Sequence, residues 1–252
     1  MPTARGFQHN FSRLLPGAMY DVERREEKAR KVLAVLSDFL GTELGRQNVL
    51  DVGCSTGIID NFLAKSFKTL VGLDIDREAI SHAMKEKAGE NEHFLLGDSM
   101  AMPFVDRAFD IVICAHVYEH VPCAQTMISE IYRVLRPNGV CFFAAGNRLA
   151  LLEPHYRLPF LSIIPGKLAD LYLRRLGRAS FYYEQHLTYW GLKRLVARFR
   201  VVDYTRKIIA DPQRYAALEL CRPGSLKQRL ALQLCRLAYW AVPGYVFLLQ
   251  KV

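Results

Sequence analysis

The run Val49-Leu50-Asp51-Val52-Gly53-Cys54-Ser55-Thr56-Gly57 constrains this chain more than any other stretch. It reads as a buried strand, an acid at the strand's end, a glycine loop, and a helix opening near Ile58. A backbone of this kind can pass close beneath a nucleoside-bearing ligand, because Gly53 and Gly57 carry no Cβ. A second apolar run, Thr69 to Leu73, ends in Asp74, whose carboxylate can accept hydrogen bonds from a ribose diol. Open α/β sheets collect their ligands at such strand ends.

A dinucleotide site is the competing interpretation. Its fingerprint, G-x-G-x-x-G, fits glycines around a pyrophosphate on a helix N-terminus. Here only Gly53 and Gly57 are present, four apart, with Asp51 two residues before the first. A loop that need not wrap a phosphate suits S-adenosylmethionine better, and with it methyl transfer.

An ordered series strengthens that reading. After Asp51 to Gly57 come Val71-Gly72-Leu73-Asp74-Ile75-Asp76 and Gly97-Asp98-Ser99-Met100-Ala101-Met102-Pro103-Phe104. Then follow Phe109-Asp110-Ile111-Val112-Ile113-Cys114-Ala115, Glu119-His120-Val121, and Arg133-Val134-Leu135-Arg136-Pro137-Asn138-Gly139. Over roughly residues 45 to 147 the chain resembles class I S-adenosylmethionine-dependent methyltransferases, and is similar to those of quinone biosynthesis and related small-molecule pathways. Ser55 stands where that family usually has glycine.

The coarse pattern fits a doubly wound α/β sheet. Val32, Leu33, Val35, Leu36, Phe39 and Leu40 recur at helical spacing, predicting a helix over 21–40. Strands are predicted near 48–52, 69–74, 93–96, 109–115 and 140–145, alternating with helical segments. Phe109 to Ala115 is almost continuously apolar after Asp110, as a strand buried on both faces should be. Met127, Ile128, Ile131, Val134 and Leu135 form one helical stripe, which Pro137-Asn138-Gly139 stops. Residues 200–209 and 245–251 read as two further strands. The resemblance implies a seven-stranded Rossmann-like sheet, its last strand antiparallel between strands five and six, with a helical cap inserted after strand five. One methyltransferase domain is expected: an arm (1–20, mobile or substrate-facing), a cofactor core (21–146), a cap or acceptor region (147–199), and the last two strands with an intervening helix (200–252).

At 252 residues and half apolar, the chain can bury a substantial core. Its formal charge of +9 suits anionic partners, a membrane surface or nucleic acid, or simply a solvated basic face. The six cysteines contain no C-x-x-C pair and read as buried free thiols in a reducing cytoplasm, with no metal site among them. The most apolar stretch, Leu237 to Leu249, is broken by Pro243-Gly244 and is short for a bilayer helix. A cytoplasmic protein is the expectation, with peripheral contact at an anionic membrane left open; nothing in the pattern fixes an oligomeric state.

Cofactor contacts are expected from Asp51, Gly53, Cys54, Gly57, Asp74, Ile75, Asp98, Ser99 and Ala115. Asp51 would hold the loop and favour the methionine ammonium. Asp74 would take the ribose diol. By resemblance, Asp98 accepts from the adenine amino group, with Ser99 and Met100 beside the ring; a plain turn residue is its alternative. Asp76 reads as a helix N-cap. Ala115 and His116 would face the sulfonium, and His116 is also readable as a structural histidine.

The acceptor side begins after strand five. Glu153-Pro154-His155-Tyr156-Arg157 and Tyr182-Tyr183-Glu184-Gln185-His186 concentrate polar groups beside apolar ones, as a selective pocket does. His155 and His186 are candidate bases, His116 a third catalytic candidate, Tyr183 an orienter, and Arg157 a clamp on an anionic acceptor. Helix capping and a small cap core are the plainer interpretation of each. Leu158 to Leu176, apolar and bordered by Lys167, Arg174, Arg175 and Arg178, could rest on anionic lipid. A small or lipid-linked acceptor methylated at oxygen therefore ranks first. RNA methylation is less favoured, since the basic residues are dispersed and N-P-P-Y is replaced by Cys114-Ala115-His116-Val117-Tyr118. A catalytically silent binding protein on this fold is the remaining alternative.

Overall fold

The computed structural model describes residues 8–41 and 43–252. Two single-turn helices, α1 (Phe11–Leu14) and α2 (Pro16–Met19), precede the long helix α3 (Val22–Leu40). Asp21 caps α3 by accepting from Arg24 N, and Gly41, at φ 68°, ends it. Strand and helix then alternate: β1 (Asn48–Val52), α4 (Ile58–Leu63), β2 (Thr69–Asp74), α5 (Arg77–Lys85), β3 (Glu92–Leu96), β4 (Phe109–Ala115), α6 (Ala124–Val134) and β5 (Leu135–Gly146). A short hairpin follows, β6 (Leu152–Glu153) with β7 (Leu158–Pro159), then α7 (Gly166–Arg175) and α8 (Tyr189–Leu195). The chain closes with β8 (Arg200–Asp203), α9 (Thr205–Ala210), α10 (Leu226–Leu237) and β9 (Gly244–Gln250).

Seven strands form one sheet in the order β3-β2-β1-β4-β5-β9-β8. β3 through β5 are mutually parallel, and β9 enters antiparallel between β5 and β8. Alternation along the strands divides the core. Leu50, Val52, Val112, Cys114, Cys141, Phe143 and Phe247 face α6 and α8. Val49, Ile111, Ile113, Val140, Phe142 and Leu248 face α3 and α9. Each such side chain contributes about 1.5–3 kcal/mol on burial, so the continuous apolar strands are what hold the layers together. Their reversal of winding between β1 and β4 opens the crevice that becomes the site.

Three expectations are corrected. The strand anticipated over 200–209 ends at Asp203, because Asp203 Oδ1 accepts Thr205 N at 2.9 Å and starts α9 instead. β5 begins at Leu135, where the backbone turns extended directly off α6, and Asn138 takes the turn at φ 64°. Cys123 is exposed, unlike the other five thiols, because it sits at the solvent-facing N-cap of α6. Among the described residues no helix is long and apolar enough to cross a membrane. The segment after β5 gathers its own small core, Leu158, Leu161, Ala169, Leu173 and Tyr182.

Candidate functional site

A cavity of about 690 Å³ opens at the carboxyl ends of β1, β2 and β4. Asp51 and Gly53 come to it from β1, Asp74 and Ile75 from β2, and Ala115 and His116 from β4. Gly53 has φ 79°, and a Cβ there would stand 2.5 Å from Val117 Cγ2, so both conformation and space demand glycine. Asp74 is held by two backbone N–H groups, Ser55 at 2.7 Å and Asp76 at 2.8 Å, one on each oxygen. Those bonds fix the carboxylate while each oxygen keeps a lone pair for a ligand. Asp76 caps α5, accepting from Glu78 and Ala79, as its position predicts.

The arm contributes to the cavity wall. Gln8, Phe11, Leu15 and Met19 line it. Ser12 N and Oγ both donate to Asp76 Oδ2, at 2.8 and 2.7 Å, and Thr56 Oγ1 donates to Met19 O at 2.7 Å. The arm is thus fastened to the same loop and helix start that present Asp74.

Beneath the glycine loop lies a buried charge group. Arg25 of α3, Asp51 and Asp60 of α4 are all withdrawn from solvent. Burial pushes the Asp51 carboxyl up to about 7, against the pull of Arg25, and Asp74 adds to the rise. Asp60 is raised well above the usual carboxylate range by burial and by Asp51. Burial likewise lowers the Arg25 guanidinium, which the carboxylates partly restore.

The opposite end of the cavity is lined by His116, His120 and His155. His116, just past β4, holds φ 59°, a strained conformation for a side-chain-bearing residue. Glu119 is fully buried beside this group. Desolvation alone would raise its carboxyl, yet His116, His120 and His186 hold it down at about 2. Desolvation drops His120 to about 4, with Glu119 opposing. Glu153 of β6 is also held at about 2, because hydrogen bonds from His155 and His186 outweigh its burial. His155 Nδ1 lies 2.7 Å from Glu153 Oε1, and His186 Nε2 3.4 Å from the same oxygen. The Tyr118 hydroxyl donates to Gly146 O at 2.7 Å and accepts from Leu187 N at 3.1 Å, tying the sheet to this segment.

Of the residues anticipated from sequence, Asp51, Gly53, Asp74, Ile75, Ser99, Ala115, His116 and His155 share the cavity wall, joined by Arg157. Cys54, Gly57, Asp98 and His186 lie off that wall. Gly57 at φ 73° abuts Ala83 and Phe94, where a Cβ would come within 2.8 Å, so its freedom serves the packing of α5 and β3. Asp98 Oδ1 accepts Met100 N at 2.7 Å, a local turn. Tyr183 packs against Phe181, ring centroids 5.7 Å apart. Unanticipated were Arg25, Asp60, Glu119 and the arm contacts. Arg25 was detectable, since it falls on one stripe with Ala29, Val32 and Leu36 and should have been read as buried.

Residues 50–143 match the family model of a methyltransferase domain. A demethylmenaquinone methyltransferase of Lactococcus lactis subsp. lactis (strain IL1403) is 32% identical over 126 residues, 47% of this chain and 50% of that protein. A ubiquinone biosynthesis O-methyltransferase of Pseudomonas entomophila (strain L48) is 29% identical over 128 residues, 47% of this chain and 55% of that one. The chain thus spans about half the length of the curated relatives it matches. A SAM-dependent methyltransferase structure from Methanosarcina mazei superposes with TM-score 0.52 at 20% identity, over 85% of this chain and 97% of that one, showing the same fold.

Proposed function

We propose that this chain, whose residues 50–143 match the model of a methyltransferase domain, moves a methyl group from S-adenosylmethionine to a small or lipid-linked acceptor, at oxygen. The observation that carries this reading is the pair Asp51 and Asp74, at the ends of adjacent parallel strands and on one cavity wall that runs on to a histidine-lined end.

The residues present fit the cofactor. Asp51 is buried with a raised pKa, the state of a carboxylate that a ligand ammonium would return to its charged form. Asp74 has lone pairs left for a ribose diol, and Ile75 and Ser99 flank it on the wall. When bound, S-adenosylmethionine supplies a methyl already activated by its sulfonium. What the protein adds is alignment, worth about 7–11 kcal/mol in well-oriented systems. A general base adds about 10²–10⁴-fold, and His155, on the wall and oriented by Glu153, is the side chain best set to accept a proton from an acceptor hydroxyl.

Support for the acceptor class comes from the cap. Leu151, Leu152, Phe160, Leu168 and Leu171 are exposed there, with Lys167, Arg174 and Arg175 beside them. The names of the two curated relatives point to quinone chemistry, which favours a quinone-type ring, and the exposed leucines favour an apolar tail on it.

The test is calorimetric titration with S-adenosylmethionine and, in parallel, NADH. Saturable binding of the first alone supports the reading, and Asp74→Ala should weaken it more than tenfold while the fold survives. Binding of NADH, or unchanged affinity in Asp74→Ala, would overturn it. Donor binding without methyl release to any quinol or lipid acceptor would favour a silent fold.

A further inference from the structure

Four histidines and three glutamates, from the end of β4 and from two stretches of the cap, converge on one side of the cavity. We propose that Glu119, His120 and His155 hold a divalent transition-metal ion there, by two imidazoles and one carboxylate. One donor atom from each of the three lies within 4.8 Å of the others. Donors around a tetrahedral ion at about 2.0–2.2 Å stand roughly 3.4 Å apart, so side-chain adjustments suffice to close the site.

The strongest sign is a buried carboxylate that histidines surround but none hydrogen-bonds, His116 Nδ1 coming nearest at 3.5 Å from Oε1. Glu119 has 0% exposure, and neither of its oxygens accepts a hydrogen bond among the described residues. A buried carboxylate that accepts no hydrogen bond is costly, and a cation removes that cost. Each of the two histidines already has an oxygen partner at Nδ1. His120 Nδ1 is 2.7 Å from Gln8 Oε1, and His155 Nδ1 is 2.7 Å from Glu153 Oε1. With Nδ1 of each engaged by an outer oxygen, Nε2 is the nitrogen left for an ion. That division of roles is how metal-bound histidines are usually held.

An alternative trio, Glu153, His155 and His186, has the same spread of donor atoms. Glu153 is less suited to be a direct ligand, because its Oε2 already accepts from His155 N and Tyr156 N, each at 2.8 Å. His120 and His155 reach the cavity, whereas His186 lies behind its wall. The first trio therefore leaves the ion's open positions toward the ligand space. His116, with Nδ1 3.5 Å from Glu119 Oε1 and half-exposed, is placed to join as a fourth donor. Cysteine spacing holds no trace of such a site, since its donors come from separate segments. Its chemical consequence rests on the methyl-transfer reading: an ion here would lower the pKa of an acceptor hydroxyl and orient it.

The experiment uses the full chain stripped by chelator, without donor or acceptor, titrated with Zn²⁺, Mn²⁺ and anaerobic Fe²⁺ by calorimetry and with Co²⁺ by visible absorption. One equivalent of at least one ion should bind, with Co²⁺ giving ligand-field bands. Glu119→Gln and His120→Ala should abolish binding, Glu153→Gln should weaken it about 10–100-fold, and His186→Ala should leave it within threefold. Circular dichroism melts establish that each variant folds. Absence of saturable binding by the wild-type chain overturns the proposal, as does binding lost in a folded His186→Ala but kept in His120→Ala. S-adenosylmethionine titration of the same samples keeps the two readings separable: donor binding without metal sinks only the metal site, and metal binding without donor sinks only the transferase reading.

Discussion

Ser12 gives both its hydroxyl and its backbone N–H to a single oxygen of Asp76, across 64 positions of sequence. Asp76 in turn donates its own N–H to Asp74, so the arm is coupled through two bonds to the proposed ribose acceptor. Ser12→Ala removes one bond to a buried charged group, worth about 1.5–3 kcal/mol. Donor affinity should fall about tenfold or more, chiefly through faster release. Stopped-flow displacement of a fluorescent donor analogue checks this. An unchanged off-rate would mean that the arm plays no part in retention.

Asp51 sets a pH dependence whose sign can be worked out. Its folded pKa, about 7, lies above the unfolded value near 3.9, so between those values the folded state holds more protons. Stability of the unliganded chain from this group is therefore full at low pH and declines as pH rises toward 7. Donor affinity runs the opposite way, because an ammonium prefers the ionised carboxylate. Melting with and without S-adenosylmethionine at pH 5.5, 6.5 and 7.5 should show the donor-induced shift growing with pH. Asp51→Asn should flatten that trend.

The same buried group predicts an unusual mutant. Arg25→Met removes the buried cation whose charge acts on Asp51 and Asp60, and leaving a buried charge uncompensated typically costs about 3–5 kcal/mol. The cost should be larger at pH 8 than at pH 6, where protonation leaves less charge uncompensated. Adding Asp60→Asn should recover part of the loss. Urea unfolding at both pH values measures all three effects, and equal costs at pH 6 and 8 would count against the charge argument.

How much of this was readable beforehand depends on where each interaction closes. That Asp51, Gly53 and Asp74 come to one cavity was legible because strand ends and the loop after them are local patterns. The order of β1 to β5 was legible for the same reason. Gly57 was expected to approach the cofactor, but it packs against Ala83 and Phe94, which come from elements later in the chain, so its packing role was hidden. Asp98 looks alike in sequence whether it serves a turn or a ligand, and its bond to Met100 N appears only in three dimensions. Glu119 and Glu153 were noted within motif runs but given no role of their own, because their meaning lies in histidines brought together by the cap's return to the sheet. The strand after Arg200 was overextended because Val201, Val202, Ile208 and Ile209 satisfy an apolar pattern that Asp203 and Thr205 interrupt by hydrogen bonding.

The cap's exposed face makes a prediction about membranes. Leu168 and Leu171 project from α7 while Ala169 and Leu173 are buried, and Lys167, Arg174 and Arg175 are exposed on the same helix. Apolar residues bordered by cations favour an anionic interface, and salt screens the attraction. The chain should co-sediment with phosphatidylglycerol vesicles at low salt, less so at 0.5 M, and poorly with phosphatidylcholine. Leu168→Glu with Leu171→Glu should abolish binding without lowering Tm. Indifference to anionic vesicles at low salt would remove membrane contact from the proposal.

Gly53 offers the sharpest test of the loop. Alanine there meets two separate penalties: about 1–2 kcal/mol for a left-handed backbone and about 1–3 kcal/mol for overlap with Val117 Cγ2, 2.5 Å from the new Cβ. Gly53→Ala should therefore lower stability by roughly 2–5 kcal/mol and shift the loop that carries Ser55 N to Asp74, weakening donor binding. The two penalties can be separated. Val117→Ala in the same chain relieves the overlap but leaves φ at 79°, so stability should return only in part. Full recovery would assign the whole cost to packing. No recovery would assign it to the backbone, and would imply that the loop tolerates no side chain even when the space beside it is empty.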